Sequence, residues 1–127
     1  MERKKISSGS PYEPTIGFSR ALVVGDRIFV SGTAPVMPDG GDPPPDAYGQ
    51  AARCWEIVLA ALREAGAGPE HVVRTRMYLS VPDDWEEVGR AHGEVFADVR
   101  PASTMVVVGA LLDPRWRVEV EADAVLD

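Results

Sequence analysis

Apolar residues recur with two different spacings along this 127-residue chain. Between residues 47 and 65 they fall three and four positions apart, which is the period of an amphipathic helix. Asp46 is suited to cap the start of this helix, and Gly66 is suited to the left-handed position after its end. The residues predicted on its apolar face are Trp55, Val58, Leu59 and Leu62.

A second helix is predicted after Pro82. Asp84, with Glu87 three residues later, resembles a capping box at the start of this helix. Pro101 then interrupts the chain. The residues expected on the inner face of the helix are Trp85, Val88, His92, Val95, Phe96 and Val99.

Alternating or continuous apolar segments predict five strands. Two short strands, 20–24 and 27–33, flank Gly25-Asp26, a dipeptide that favours a hairpin turn. The continuous valines after Thr104 indicate a strand that is buried on both faces. The three later strands are predicted at 72–80, 104–109 and 117–125.

The predicted order is therefore β-β-α-β-α-β-β, in a single α+β domain spanning residues 1–127. Each strand–helix–strand unit implies a right-handed crossover between parallel strands, so two units predict a mixed sheet with both helices on one face. The proline-rich loop 35–46 cannot be a helix or a central strand. The other sheet face mixes polar and aromatic side chains, which favours a subunit interface: Arg76, Tyr78, Glu119 and Glu121.

Composition and charge narrow the functional classes. The net charge is −7, and the one basic run, Arg3-Lys4-Lys5, is expected to be a solvated tail, so no nucleic-acid surface is predicted. No apolar stretch approaches the ~18 residues of a membrane span and no signal peptide is visible, so we expect a cytoplasmic protein without membrane contact. Cys54 is expected to be a packing residue. His71 and His92 are far apart, which predicts no metal site.

Five segments stand in the order found in one protein family. They are Lys5-Ile6-Ser7-Ser8 with Ile16-Gly17-Phe18-Ser19, then Ile28-Phe29-Val30-Ser31-Gly32, Val72-Val73-Arg74-Thr75, Arg100-Pro101-Ala102 and Val118-Glu119-Val120-Glu121-Ala122. Together they resemble the Rid (YjgF-type) family of reactive-intermediate deaminases. The resemblance implies a chorismate-mutase-like α+β fold and a homotrimer with a ligand pocket in each cleft between subunits. It also implies hydrolysis of small enamines and imines to 2-keto acids and ammonia, without a cofactor or metal.

The resemblance assigns the reaction to two positions. In the family, an arginine clamps the substrate carboxylate while a glutamate on the last strand holds the attacking water. The glutamate corresponds to Glu119. The arginine should follow Pro101-Ala102, where this chain has Ser103, whose hydroxyl offers one donor and no charge. The resemblance therefore implies a deaminase with altered or weak activity.

Four further residues are assigned to substrate binding. Phe18 stands where the family usually has tyrosine, and Gly89 stands where it commonly has asparagine. Ser31 and Gly32 could present backbone groups to a ligand, because glycine allows close approach.

Arg76 is the main candidate for a replacement cation. Its position in the middle of a strand fits either a substitute anion clamp or an interface salt bridge. Arg20 and Arg100 are weaker candidates that are expected to be solvated, and His92 is expected to be packed or capping.

Two functions other than catalysis remain open. One is a non-catalytic trimer that binds a small imine, enamine or keto-acid metabolite. The other is an interaction or regulatory protein, since relatives of this fold have been linked to translation inhibition. The acidic charge makes direct RNA contact the least favoured of these.

Overall fold

A computed structural model describes residues 2–127. Within them, six strands form one mixed sheet and two long helices pack on one of its faces. The strands are β1 (Arg3–Ile6), β2 (Ala21–Val24), β3 (Arg27–Thr33), β4 (Val72–Leu79), β5 (Ala102–Val107) and β6 (Val118–Val125). The helices are α1 (Ala47–Glu64) and α2 (Trp85–Phe96), and a π-helical turn (Glu13–Gly17) precedes β2.

The strand order across the sheet is β1-β2-β3-β6-β4-β5. Strands β4 and β5 are parallel and are joined by α2, as the crossover rule predicts. Strand β6 lies antiparallel between β3 and β4, so the two strands that α1 connects are not neighbours. The expected mixed sheet with both helices on one face is confirmed.

The first helix follows the sequence closely. The carboxylate of Asp46 accepts a hydrogen bond from the backbone N–H of Gly49 at 3.2 Å, which caps the helix. Gly66 follows its end with φ of 87°, a left-handed conformation that glycine adopts without strain. Both predictions are confirmed.

The hydrophobic core fills the space between the helices and the sheet. Trp55 of α1 packs edge-on against Phe96 of α2, with ring centroids 5.0 Å apart. Cys54 is fully buried beside them and serves as a packing residue, as predicted. From the sheet, the alternating side chains Val118, Val120, Ala122 and Ala124 complete the core.

The basic run near the N-terminus is not a tail, which corrects the sequence prediction. Arg3, Lys4 and Lys5 belong to β1, whose backbone pairs with β2 from Arg3 opposite Val24 to Ile6 opposite Ala21. Their side chains remain exposed, and Ile6 alone enters the core. The strand is missed because one apolar residue in four gives no alternating pattern.

Strand β5 also differs from its prediction. It begins two residues earlier, at Ala102, and most of its side chains are exposed rather than buried on both faces. Among residues 2–127 it pairs only with β4, so it is an edge strand, and about half of Val107 remains accessible in the single chain. A run of valines at a sheet edge is a surface that a second chain can cover.

The start of α2 corrects two further predictions. Asp84 makes no capping hydrogen bond and instead binds the guanidinium of Arg117. Trp85 was expected on the inner face of α2 but is 59% exposed.

Candidate functional site

The sheet face opposite the helices carries a network of charged side chains. The Nη1 atom of Arg76 lies 3.4 Å from a carboxylate oxygen of both Glu121 and Asp123. The hydroxyl of Tyr78 donates to the same Glu121 oxygen at 2.8 Å, and this bond is the main reason that the pKa of Tyr78 is raised. The predicted polar–aromatic face therefore exists, with Arg76 engaged by Glu121 and Asp123.

An open cavity of about 520 Å³ lies over this network. Phe18 and Ser31, both predicted from the sequence, line it together with Arg76. Arg3 and Lys5 of β1 also line it, and sequence reasoning missed both because it treated them as a tail. The cavity thus combines cations from β1 and β4 with an aromatic wall.

Glu119 lies on the same sheet face, against a β-bulge. The pairing of β3 with β6 shifts register between Val30 and Thr33, and the irregular residues are Ser31 and Gly32. A side-chain carbon at position 32 would lie only 2.5 Å from Oε2 of Glu119, so the glycine makes room for the carboxylate. The structure therefore brings Glu119 and Gly32 together.

Partial burial raises the pKa of Glu119; Arg20 opposes this shift, and the negative charge of Glu121 adds to it. Within residues 2–127, Glu119 forms no salt bridge. A raised pKa makes the Glu119 carboxylate a stronger base than an ordinary surface glutamate, which suits it to accept a proton.

Arg20 is not solvated, contrary to expectation. Its Nη2 atom donates to the backbone oxygens of Ser31 and Gly32 at 2.7 and 2.8 Å, and to the hydroxyl of Thr33 at 2.7 Å. Its buried Nε has no hydrogen-bond partner within the described part of the chain. Arg20 thus stabilises the β-bulge through these hydrogen bonds, and its positive charge acts to lower the pKa of Glu119.

Ser103 lies on the opposite side of the sheet from Glu119. It pairs in parallel register with Thr75, and the two hydroxyl oxygens are 2.8 Å apart. Thr75 is fully buried on the helix-covered side, whereas Glu119 alternates with the buried Val118 and Val120. Within one chain, Ser103 and Glu119 therefore cannot contact the same small molecule.

The two remaining candidates also lie apart from the cavity. Gly89 is on α2, where a side-chain carbon would meet nothing within 4 Å. Arg100 is exposed after α2 and has φ of 54°, an uncommon left-handed conformation for an arginine. Among residues 2–127, no three potential metal ligands converge, and neither long helix has the length and hydropathy to cross a membrane.

Sequence and fold comparisons agree on the class of protein. The model of the family described as Endoribonuclease L-PSP matches residues 9–126. A Streptomyces coelicolor protein named as uncharacterized is 41% identical over 125 residues, covering 95% of this chain and 90% of its own. A RutC family protein of Pyrococcus abyssi is 32% identical, covering 87% and 88%.

A crystal structure from Mycobacterium tuberculosis extends the comparison to the fold. That protein is described as a member of the YjgF/YER057c/UK114 family, and it superposes with a TM-score of 0.90 at 38% identity. The match covers 98% of this chain and all of the other. The chain belongs to the YjgF (Rid-type) family, which confirms the resemblance seen in the sequence.

Proposed function

We propose that this chain forms a homotrimer that hydrolyses small reactive imines, and the enamines that tautomerise to them, with Glu119 holding the attacking water. The family supplies the reaction class. The observation that carries the assignment is the half-buried Glu119 carboxylate, which is set against Gly32 and has a raised pKa.

The proposed reaction needs one carboxylate and one water. Glu119 accepts a proton as the water oxygen bonds to the imine carbon, and the C=N double bond becomes a single bond. The proton then passes from Glu119 to the nitrogen, which gives a carbinolamine. Glu119 next moves the hydroxyl proton of the carbinolamine to the nitrogen, the C–N bond breaks, and a carbonyl and ammonia are released. Each turnover consumes one water, so the atoms balance without a redox partner.

The trimer is proposed because a single subunit separates its candidate groups. Ser103 and Glu119 lie on opposite faces of one sheet, so they can share a ligand only if they come from different subunits. The exposed valines of edge strand β5 and the open cavity near Arg76 are the surfaces that assembly would cover. Light scattering should give three copies of the 13.7 kDa chain, and a monomer at micromolar concentration would refute the proposed cleft.

Activity on a substrate with a carboxylate is expected to be weak. Ser103 supplies no charge, and a charge-assisted hydrogen bond is worth roughly 1.5–3 kcal/mol, so the rate should be about one to two orders of magnitude below that of an arginine-bearing relative. The substrate 2-aminoacrylate can be generated in the assay by a serine dehydratase. Equal rates for the two proteins would show that Ser103 does not limit the reaction.

The role of Glu119 is tested by Glu119→Gln, which keeps the shape but removes the base. The rate above spontaneous hydrolysis should fall by about 10²-fold or more. Glu86→Gln makes the same chemical change at an exposed position of α2 and should have no effect. Loss of activity in both variants, or in neither, would contradict a catalytic Glu119.

A non-catalytic trimer that binds a small metabolite is the second candidate. Two observations favour it: Ser103 has no charge with which to clamp a carboxylate, and the structure has an open cavity near Arg76. This function predicts ligand binding in calorimetry together with identical hydrolysis rates for the native chain and Glu119→Gln.

A further inference from the structure

Three side chains form a continuous hydrogen-bonded chain from the core to the surface at Ser103. The hydroxyl oxygen of Thr75 lies 2.9 Å from Nε2 of His92 and 2.8 Å from the hydroxyl oxygen of Ser103. Thr75 is fully buried, His92 is partly buried and Ser103 is exposed. An imidazole is thus connected, through one buried hydroxyl, to a hydroxyl that a ligand can reach.

The orientation of His92 is fixed by aromatic packing. Its ring lies edge-on to Trp55 at 5.5 Å between centroids and tilted against Phe96 at 4.8 Å. Burial lowers the pKa of His92, so the ring is neutral near pH 7 and has one N–H donor and one acceptor nitrogen. Because Thr75 has one hydroxyl hydrogen, it can donate to only one of its two neighbours.

Two arrangements of the hydrogens satisfy this geometry. When Nε2 of His92 carries the hydrogen, it donates to Thr75, Thr75 donates to Ser103, and the Ser103 hydrogen points outward. When Nε2 is unprotonated, Thr75 donates to it, Ser103 donates to Thr75, and the Ser103 oxygen is left to accept. In both arrangements Ser103 is held in place while it offers one neutral hydrogen bond to a ligand.

We propose that Ser103, positioned by Thr75 and His92, is a specificity-determining residue that selects substrates carrying an uncharged polar group where the family's substrates carry a carboxylate. The substrate class is a small imine that bears an amide or a similar neutral group. This inference rests on the proposed function, whose reaction it keeps unchanged, and it adds no covalent step.

Charge and desolvation both favour a neutral partner at this position. Binding removes more favourable hydration from a carboxylate than from an amide. The hydrogen bond from one neutral hydroxyl offsets less of this desolvation cost than a guanidinium would. The chain also has a net charge of −7, which disfavours the approach of anions. An amide can both donate and accept, so it fits either hydrogen arrangement.

The test compares 2-oxobutanamide with 2-oxobutanoate, two stable probes that differ in this one group, by titration calorimetry. The native chain should bind the amide several-fold more tightly. Ser103→Ala should lower the affinity for the amide about three- to tenfold, the equivalent of one neutral hydrogen bond. Ser103→Arg should reverse the preference toward the carboxylate.

The hydrogen-bonded chain is tested by Thr75→Val, which keeps the side-chain shape and does not change residue 103 itself. It should lower affinity for the amide about as much as Ser103→Ala does, because the serine is no longer held. Thr104→Val is the matched control, since Thr104 is the next residue of β5 and pairs with Arg76 rather than Thr75. Circular dichroism and light scattering on each variant verify the fold and assembly.

The proposal is overturned if the native chain binds the carboxylate at least as tightly as the amide, or binds neither probe. It is also overturned if Thr75→Val binds like Thr104→Val. Failure of the proposed function gives a different result. The native chain would still prefer the amide and Thr75→Val would still bind it more weakly, but Glu119→Gln would hydrolyse imines as fast as the native chain.

Discussion

Arg117 and Arg76 hold carboxylates on different sides of the sheet, and they do so in different ways. Arg117 donates from Nε and Nη2 to the two oxygens of Asp84 at 2.8 and 2.6 Å, a bidentate pair. Asp84 is only 3% exposed. Arg76 instead shares one nitrogen between Glu121 and Asp123 at 3.4 Å each, and its side chain is 38% exposed.

The comparison distinguishes an arginine whose hydrogen-bond donors hold the fold together from one whose donors can still bind a ligand. The short, parallel bonds of Arg117 hold the start of α2 to the start of β6, and the carboxylate they satisfy is out of contact with water. Arg76 uses one nitrogen for two long contacts, so most of its donors remain for a ligand or a second subunit. Its position beside the cavity agrees with that availability.

The largest expected effect is on the Arg117 pair. Replacing Asp84 with Asn removes the charge but keeps the shape, leaving the guanidinium with a weaker partner. The free energy of unfolding should fall by about 2–4 kcal/mol. This is somewhat less than the roughly 3–5 kcal/mol for breaking a fully buried pair, because Arg117 is partly exposed. Urea denaturation measures this change.

Asp83→Asn is the control for this measurement, since Asp83 is the adjacent residue and is exposed. It should change the free energy of unfolding by less than about 0.5 kcal/mol. An equally small effect of Asp84→Asn would mean that the short pair does not stabilise the fold.

The same pair shows where sequence reasoning fails. Asp84 and Glu87 have capping-box spacing, and local spacing alone cannot show that Arg117, 33 residues later, takes the carboxylate instead. Likewise, β1 depends on pairing with β2, and the exposure of β5 depends on its place at the edge. In each case a long-range contact decides the outcome.

Features whose cause is local were predicted correctly. The α1 cap at Asp46, the left-handed Gly66 and the alternation of β6 each follow from a residue and its near neighbours. The sequence also placed Arg76, Tyr78 and Glu119 on one face, because strand alternation is local. It could not show that Ser103 pairs with Thr75, because that depends on the register between β4 and β5.

A smaller effect is expected when Arg76 is replaced with Ala. Long, partly exposed ion pairs contribute little, so the free energy of unfolding should fall by less than about 1 kcal/mol, and added salt should reduce the difference further. The measurement is urea denaturation at low and high salt, with light scattering to follow assembly. A loss as large as that of Asp84→Asn, or dissociation of the proposed trimer, would assign Arg76 a structural role and remove the contrast between the two arginines.

The smallest expected effect concerns Glu119, which lies on the same face as Arg76 but forms no salt bridge with an arginine among residues 2–127. Burial raises its pKa in the folded state, so the unfolded chain gives up this proton at a lower pH than the folded chain does. The free energy of unfolding therefore falls as pH rises from the unfolded pKa, about 4.3, through the raised folded pKa.

Glu119→Gln cannot ionise, so it should be slightly more stable than the native chain at pH 8, and this gain should disappear below about pH 4. Urea denaturation at both pH values, with Glu86→Gln as the exposed control, measures the difference. A variant that is less stable at pH 8 would show that the attraction of Arg20 outweighs the cost of burying the charge, and Glu119 would then belong with Asp84 as a structural carboxylate.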